Sequence, residues 1–525
     1  MNFREIGKLL NKKVFPHKVR YLKLRETYIS WLILTGNFVY KIKKPVKYSY
    51  LDFSSLKKRK FFCKEELRLN SRLSKEIYLD VVPIVKRNGK LRILESSKPP
   101  LLKNEKIKDY ALKMKEIPEK YYAPELLKKG KLRITAIKKI AKIIADFHKN
   151  ARTSPEIEKY GLIKIIKKNW EENFWQVKPF VGKIINETLY KFIKKGVRNF
   201  LEKNKPLFLK RIKEKKIRDC HGDLHTENIF VTPKNYIIDC IEFNKRFRYQ
   251  DIASDVAFLT MDFDYLGKPD FAKYFAKQYN SEFKDRDLYK ILPFYKCYRA
   301  YVKTKVGCFS LSKEDISSIQ KYFALAFKYA CQFLNKKPFL LVIFGQIGTG
   351  KTYLAEELSK ITGAKLLRSD VIRKKMLGIP LFEHRKRGLE KIYSHKTTLR
   401  VYKKMISQGL KLLKKGNFVI LDATFPNQFY RQMVIRPAER KKIPYFFVEC
   451  KASEKKILER LRKRGKKPEI SDATVNVYLQ KKAEFNKMKL PEEHYLSINR
   501  EKNNVVEDAN KVLEISFHLE SNMVD

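Results

Sequence analysis

The chain has 525 residues, 44% of them hydrophobic, so one ordinary domain is too small a container and two or three are expected. No apolar run approaches the length of a membrane span, and seven cysteines without paired spacing suit a reducing cytoplasm rather than an exported, disulfide-stapled protein. A formal net charge of +59 makes nucleic acid or another anion a partner class to weigh, although the lysines are spread through every segment instead of one arm.

Alternating apolar residues predict three successive strands between residues 21 and 42: Tyr21 to Leu24, Tyr28 to Leu34 and Phe38 to Ile42. A helix is expected from Ser55 to Leu73, with Glu66, Leu69, Asn70 and Leu73 on one face. Residues 110–117 read as a strand running into a linker, and Ile134 to Asn150 as an amphipathic helix.

The richest stretch is CHGDLHTENIFVTPKNYIIDCIEF, residues 220–243. It reads as a loop, a short strand from Ile229, a turn at Pro233 to Asn235, and a second strand from Tyr236. His221-Gly222-Asp223 followed four residues later by Asn228 fits the H-x-D-x-x-x-x-N spacing of a kinase catalytic loop, and Asp239 falls where a second magnesium-holding carboxylate belongs. Phosphoryl transfer needs a carboxylate to orient the attacking hydroxyl and take its proton, and oxygen ligands to hold magnesium against ATP. The alternatives are a polar, Asx-rich hairpin or a zinc site from Cys220, His221, His225 and Cys240, for which no CxxC is present.

With His225 completing H-G-D-x-H-x-x-N, the stretch resembles the aminoglycoside phosphotransferase (choline and homoserine kinase-like) superfamily. That resemblance implies an α+β bilobal, protein-kinase-like domain over 1–334, with an N-lobe of about 1–117 and a C-lobe of about 118–334. Asp223 is then the expected base, and Asn228 and Asp239 the expected magnesium ligands. Lys41 on the third strand is expected to bind the ATP phosphates, with Val39 facing adenine and Lys43 and Lys44 as neighbouring alternatives. Glu66 is expected to hold that lysine, while Glu65 and Glu66 as plain counter-charges on a basic helix is the other reading. Asp251 and Asp255 both stand as braces for the catalytic loop, or as ordinary acids at a helix start. Residues 286–334 are expected to pack the C-lobe. The runs YKIKKPV, LDFS, ELRLN, IDCIEFN and DVAFLTMDFDYLG further resemble a bacterial and archaeal subfamily in which such a domain is fused to a P-loop domain.

A boundary is expected near Asn335 to Pro338, followed by an α/β domain over 335–525 with a mainly parallel sheet. There an apolar strand, Phe339 to Phe344, leads into Gly345-Gln346-Ile347-Gly348-Thr349-Gly350-Lys351-Thr352, a full G-x-x-x-x-G-K-[ST] match opening a helix. Backbone N–H groups of such a loop cradle phosphates, Lys351 reaches the β/γ-phosphates and Thr352 offers a hydroxyl to Mg2+. Asp422, ending the run Phe418 to Leu421, is the expected second magnesium ligand. Asp370-Val371-Ile372-Arg373 resembles the polynucleotide kinase, gluconate kinase and zeta-toxin group, which implies Asp370 as base and Arg373 as substrate-binding; Asp370 as a helix cap is the alternative. Arg460 and Arg464, on an arginine-rich helix of about 455–467, are expected to close over the phosphates, or else to be solvated.

Taken together the expectation is a cytoplasmic, two-domain, ATP- and Mg2+-dependent phosphotransferase acting on a hydroxyl of a small molecule. Two rival functions remain at this level: a polynucleotide 5′-kinase or RNA-processing factor using the basic surface, and a P-loop ATPase regulated by a nucleotide-sensing kinase-like domain.

Overall fold

The computed structural model describes the whole chain apart from residues 97–103, 313–314, 384–391, 464–469, 472–473, 487–491, 502–503 and 523–525. It divides into two compact units, one of residues 1–172 with 201–299, the other of residues 173–200 with 300–525.

The first unit opens with a six-stranded antiparallel sheet in the spatial order Lys23–Glu26, Ser30–Leu34, Phe38–Lys43, Lys106–Lys115, Tyr78–Arg87, Lys90–Ile93. The first strand runs through Arg25 and Glu26, which local polarity assigns to a turn, because it pairs register for register with Leu34 back to Trp31. Alternation on Phe38–Lys43 separates two faces. Tyr40 and Ile42 join a core with Trp31, Ile33 and Val82, while Val39, Lys41 and Lys43 point to the other side. The Leu56–Ser74 helix covers that side, N-capped by the Ser55 hydroxyl, which accepts from the Lys58 amide. Its Cys63 packs with Tyr78, Val81 and Leu112 of the sheet.

The helical part of this unit contains the Ile134–Asn150 helix, whose apolar stripe (Ile137, Ile140, Ala141, Ile144) is buried. The Ile252–Tyr265 helix is buried along nearly its whole length. Between them lie two small antiparallel pairs, Ile217–Asp219 with Tyr249–Asp251 and Ile229–Phe230 with Tyr236–Ile237.

The second unit is built on a five-stranded, wholly parallel sheet ordered Lys365–Arg368, Val419–Asp422, Leu340–Phe344, Tyr445–Lys451, Tyr495–Asn499. The central strand is buried at every position, as a two-sided parallel strand must be. The helix Asp315–Phe333 falls in this unit together with Glu187–Lys203, both from the residues expected to form the C-lobe, and the two pack on each other. Phe327 of the former stacks on Phe418 with ring centroids 5.8 Å apart, and Ala324 lies against Gly363. Phe192, on the helix Glu187–Lys203, packs on the same Phe327 at 5.4 Å. The architecture is an α+β bilobal, protein-kinase-like domain followed by an α/β P-loop domain.

Candidate active sites

In the first unit the Leu56–Ser74 helix and the hairpin of residues 220–243 meet over the strand Phe38–Lys43. Lys41 Nζ donates to Glu66 Oε1 at 2.7 Å and to Asp239 Oδ1 at 2.6 Å. Glu66 is fully buried, and its second oxygen takes Lys43 Nζ at 2.6 Å. Burial pushes the Glu66 carboxyl up, but the two lysines outweigh it and hold it below its ordinary value. Burial likewise lowers Lys41, yet Asp239 and Glu66 carry it well above the usual lysine range, so it stays a cation. Glu65 turns away to Arg68, 2.6 Å from it, and Lys44 pairs with Glu26 at 2.6 Å.

The hairpin register pairs Ile229 with Ile237, and the Ile238 amide donates to the Asn228 carbonyl at 2.9 Å, so Asn228 stands beside the strand that ends at Asp239. Asp239 takes a left-handed φ of 64° and its amide donates to the Tyr78 hydroxyl at 3.0 Å. Asn228 Nδ2 donates to the Asp223 carbonyl at 2.9 Å and to Oδ2 at 3.2 Å, and His225 Nε2 lies 3.2 Å from the same oxygen. The Asp223 and Asp239 side chains keep 35% and 44% of their surface open. Two accessible carboxylates, an amide and a held lysine therefore converge, the donor set a magnesium nucleotide and a hydroxyl acceptor require.

Asp255 sits directly behind this loop and accepts from the amides of His221 at 2.7 Å and Gly222 at 2.9 Å. Burial pushes its carboxyl up, but the His148 hydrogen bond and the charges around it hold it below its ordinary value. Asp251 does something else: it caps the Ala253 amide and forms a buried pair with Arg211, which also binds Asp285 at 2.9 Å. Gly222, with φ 88°, lies where a Cβ would come 2.8 Å from the Phe247 carbonyl, so the turn needs glycine. Of the zinc alternative, His221 accepts the Asp223 amide on Nδ1 and donates from Nε2 to Ile238 at 2.9 Å, leaving no lone pair for a metal. Among the described residues the ligand-type grouping that forms is His148, Cys220 and Asp255, already joined by hydrogen bonds to one another or to Gln250.

Sequence reasoning left Glu242 without a role. It is buried beside Lys43, which donates to it, and burial pushes its carboxyl up. Asp262, also missed, accepts from both the amide and the hydroxyl of Thr226 at 2.8 and 2.6 Å, pinning the segment that carries Asn228.

In the second unit the strand Leu340–Phe344 opens into the phosphate loop and the helix Lys351–Thr362. Gly345, Gly348 and Gly350 have φ of 142°, 83° and 89°, and a Cβ on Gly345 would lie 2.4 Å from the Cys450 carbonyl. Lys351 Nζ donates to the Gln346 carbonyl at 2.8 Å and the Thr352 hydroxyl to Asp422 Oδ2 at 2.7 Å. Burial pushes the Asp422 carboxyl up against Lys351 and Thr352, and the nearby charge of Asp370 adds to the rise. A loop with glycine at its three left-handed positions, a lysine inside it and a hydroxyl–carboxylate pair fit the phosphates and magnesium of a nucleotide.

Asp370 lies in the first turn of the helix Ser369–Met376, whose N-cap is Arg368 without a side-chain cap. Arg373 is buried and ties Nη1 to the Ile392 carbonyl at 3.0 Å and the Thr398 hydroxyl at 3.3 Å, with Tyr393 beneath its guanidinium. Arg460 reaches the loop, donating to Gly348 at 3.4 Å and to the Arg500 carbonyl at 2.6 Å; Arg464 lies outside the described residues. Arg500 was not foreseen. Buried after the last strand, it brings Nε to 3.6 Å from the Cβ position of Gly350, and no local motif marks it.

Residues 340–488 match the family described as AAA domain. An uncharacterized protein of Mycobacterium tuberculosis is 28% identical over 410 residues, covering 77% of this chain and 78% of that protein. Among solved structures, the GDP complex of aminoglycoside 2′-phosphotransferase-IIIa aligns with 62% of this chain and 97% of its own at 13% identity and a TM-score of 0.38. A gluconokinase from Sinorhizobium meliloti aligns with 36% of this chain and 95% of its own at 16% identity and a TM-score of 0.27. The chain joins a bilobal, kinase-like domain to a C-terminal P-loop domain similar to the AAA domain family.

Proposed function

We propose that this chain is an ATP-dependent phosphotransferase with two nucleotide sites, each serving transfer to a hydroxyl. The observation that carries the reading is Lys41 held between Glu66 and Asp239, with Asn228, beside the strand that ends at Asp239, bonded to the Asp223 carboxylate. When bound, magnesium ATP supplies the phosphoryl group and the metal's charge; Asn228 and Asp239 would hold the ion in the first unit, Thr352 and Asp422 in the second.

The remaining work falls to the chain. Asp223 orients an acceptor hydroxyl and takes its proton, with His225 and Asn228 fixing the carboxylate. Lys41, kept charged and aimed by Glu66, draws phosphate oxygens into the cleft, and Asp255 keeps the loop rigid. In the second unit Lys351 and the loop amides bind phosphates, Arg460 covers them and Asp370 serves as base, while Arg373, expected to bind substrate, is buried on Ile392 and Thr398 and braces the helix that carries Asp370.

The test is phosphate transfer from labelled ATP to a pooled library of sugars, amino alcohols, aminoglycosides and 5′-hydroxyl oligonucleotides, by wild type, Asp223→Asn and Lys351→Ala. Each variant should lose one set of products and keep the other. Loss of both sets in either single variant would refute two independent sites, and no transfer by wild type would refute the phosphotransferase reading.

A further inference from the structure

The second unit carries a groove that the nucleotide chemistry does not use. It has a volume of about 1030 Å3 and runs between the helices His395–Lys414 and Gln428–Arg440. It ends at Pro338 and Pro444, which precede the strands Leu340–Phe344 and Tyr445–Lys451. The groove thus runs from the amino edge of the parallel sheet, at Pro338 and Pro444, to Gln428 and Phe429 at the start of the helix that follows Val419–Asp422, and no residue of the phosphate loop is among those that line it.

The floor is aliphatic: Ile406, Leu410, Leu413, Met433 and Ile443. Leu410, Met433 and Ile443 stay only half-buried, and Phe429 at one end is 56% exposed. The rim is cationic, with Lys403, Lys411 and Lys414 along one helix and Arg436, Lys441 and Lys442 along and after the other. Among the described residues that line it there is no aspartate or glutamate, in a chain that holds 57 of them against 116 lysines and arginines.

The geometry points to this groove as the docking site for an acidic amphipathic helix of a partner protein. A trough between two neighbouring helices accepts a third helix as ridge into groove, its apolar stripe on the floor and its carboxylates along the lysine rims. A second copy of this chain is a poor occupant, since each copy carries +59. Single-stranded nucleic acid uses aromatic platforms for base stacking, and here the floor is aliphatic with one phenylalanine at its end. A lipid surface is flat and does not enter a trough between helices.

The test is fluorescence anisotropy of the full chain with a labelled, designed helix of about five turns, leucines at i, i+3, i+4 and i+7 and glutamates elsewhere. A peptide of the same composition with the leucines scattered isolates the apolar stripe; a single-stranded oligonucleotide and phosphatidylglycerol vesicles serve as competitors. The amphipathic peptide is expected to bind at least about tenfold tighter than the scattered one. The triple variant K403E/K411E/R436E and, separately, Met433→Gln should each weaken it by about tenfold or more, with ATP binding at the phosphate loop unchanged. Equal affinity for both peptides, no binding, or full affinity in the variants would overturn the proposal. So would oligonucleotide or vesicles displacing the peptide and losing affinity in the triple variant, which would assign the groove to those partners instead. Arg436→Glu alone reads the same effect should the triple variant not fold.

Discussion

Lys41 and Lys43 share one carboxylate: Glu66 takes Lys41 on one oxygen at 2.7 Å and Lys43 on the other at 2.6 Å. Two residues apart on a strand, they lie on the same face, yet their second partners differ. Lys41 continues to Asp239, which is 44% exposed at the cleft, and Lys43 to Glu242, which is buried. Lys41→Met should therefore cut phosphate transfer by the first unit about 10²- to 10³-fold while leaving stability near wild type, because Lys43 still neutralises Glu66. Lys43→Met leaves the buried Glu242 without its cation beside Glu66, which keeps Lys41, and should cost about 3–5 kcal/mol in denaturant unfolding. Equal stability losses in the two variants would show that the lysines are not divided in this way.

Asp255 and Asp251 divide just as cleanly. Asp255 accepts the amides of His221 and Gly222, so Asp255→Asn should lower kcat and cost about 2–3 kcal/mol. Asp251→Asn breaks the buried Arg211 network and should cost stability by a similar or larger amount, about 3–5 kcal/mol, with kcat of the folded enzyme retained. Steady-state kinetics on both variants below their unfolding temperatures checks the split.

Two glycines with left-handed backbone make a controlled pair. Gly345 has φ 142° and a Cβ there would meet the Cys450 carbonyl at 2.4 Å; Gly89 has φ 76° and nothing within 4 Å. Gly89→Ala should cost only the conformational strain, about 1–2 kcal/mol. Gly345→Ala should cost more than about 3 kcal/mol and abolish nucleotide binding at the phosphate loop, because the backbone must shift. Thermal unfolding with and without ATP, each glycine variant also carrying Lys41→Met to weaken the first unit's site, separates them: the ligand-induced rise in Tm should survive with Gly89→Ala and be lost with Gly345→Ala.

His221 provides a pH signature. Its complete burial outweighs the nearby Asp255 and Asp223 and pushes it below its ordinary value of 6.5. A base whose folded pKa is depressed contributes stability that is full above the unfolded pKa and is lost as pH falls toward the folded one. Unfolding free energy should thus decline from about pH 6.5 downward, by at most about 1.4 kcal/mol per pH unit from this group. In His221→Gln that part of the slope should vanish, which denaturant titrations at several pH values would reveal.

Much of this was legible in the linear order. The Ile134–Asn150 helix carries its full apolar stripe, and Ser55 marks the helix start at Leu56. The phosphate loop and the catalytic hairpin keep their chemistry within 8 and 24 consecutive residues, as residues 345–352 and 220–243. Less legible were the first strand, which takes in a charged pair because Trp31 and Leu32 oppose it, and the helix Asp315–Phe333, whose amphipathic pattern names a buried face but not the neighbour that covers it.

By itself, then, the sequence determined which short-range groups exist: the strand–loop–helix around Lys351, the Asp223–Asn228 spacing, the strand that carries Lys41. These depend on turns and periodicities a few residues long, which local sterics and hydrogen bonding decide. The tertiary structure alone decided which distant charges meet: Lys43 with Glu242 across 199 residues, Asp255 rather than Asp251 behind the catalytic loop, Arg500 beside Gly350, and a lysine-rimmed trough between two helices. Buried charges must find partners once water is excluded, and which partner is in reach depends on how strands and helices cross in space, a relation that spacing along the chain does not encode.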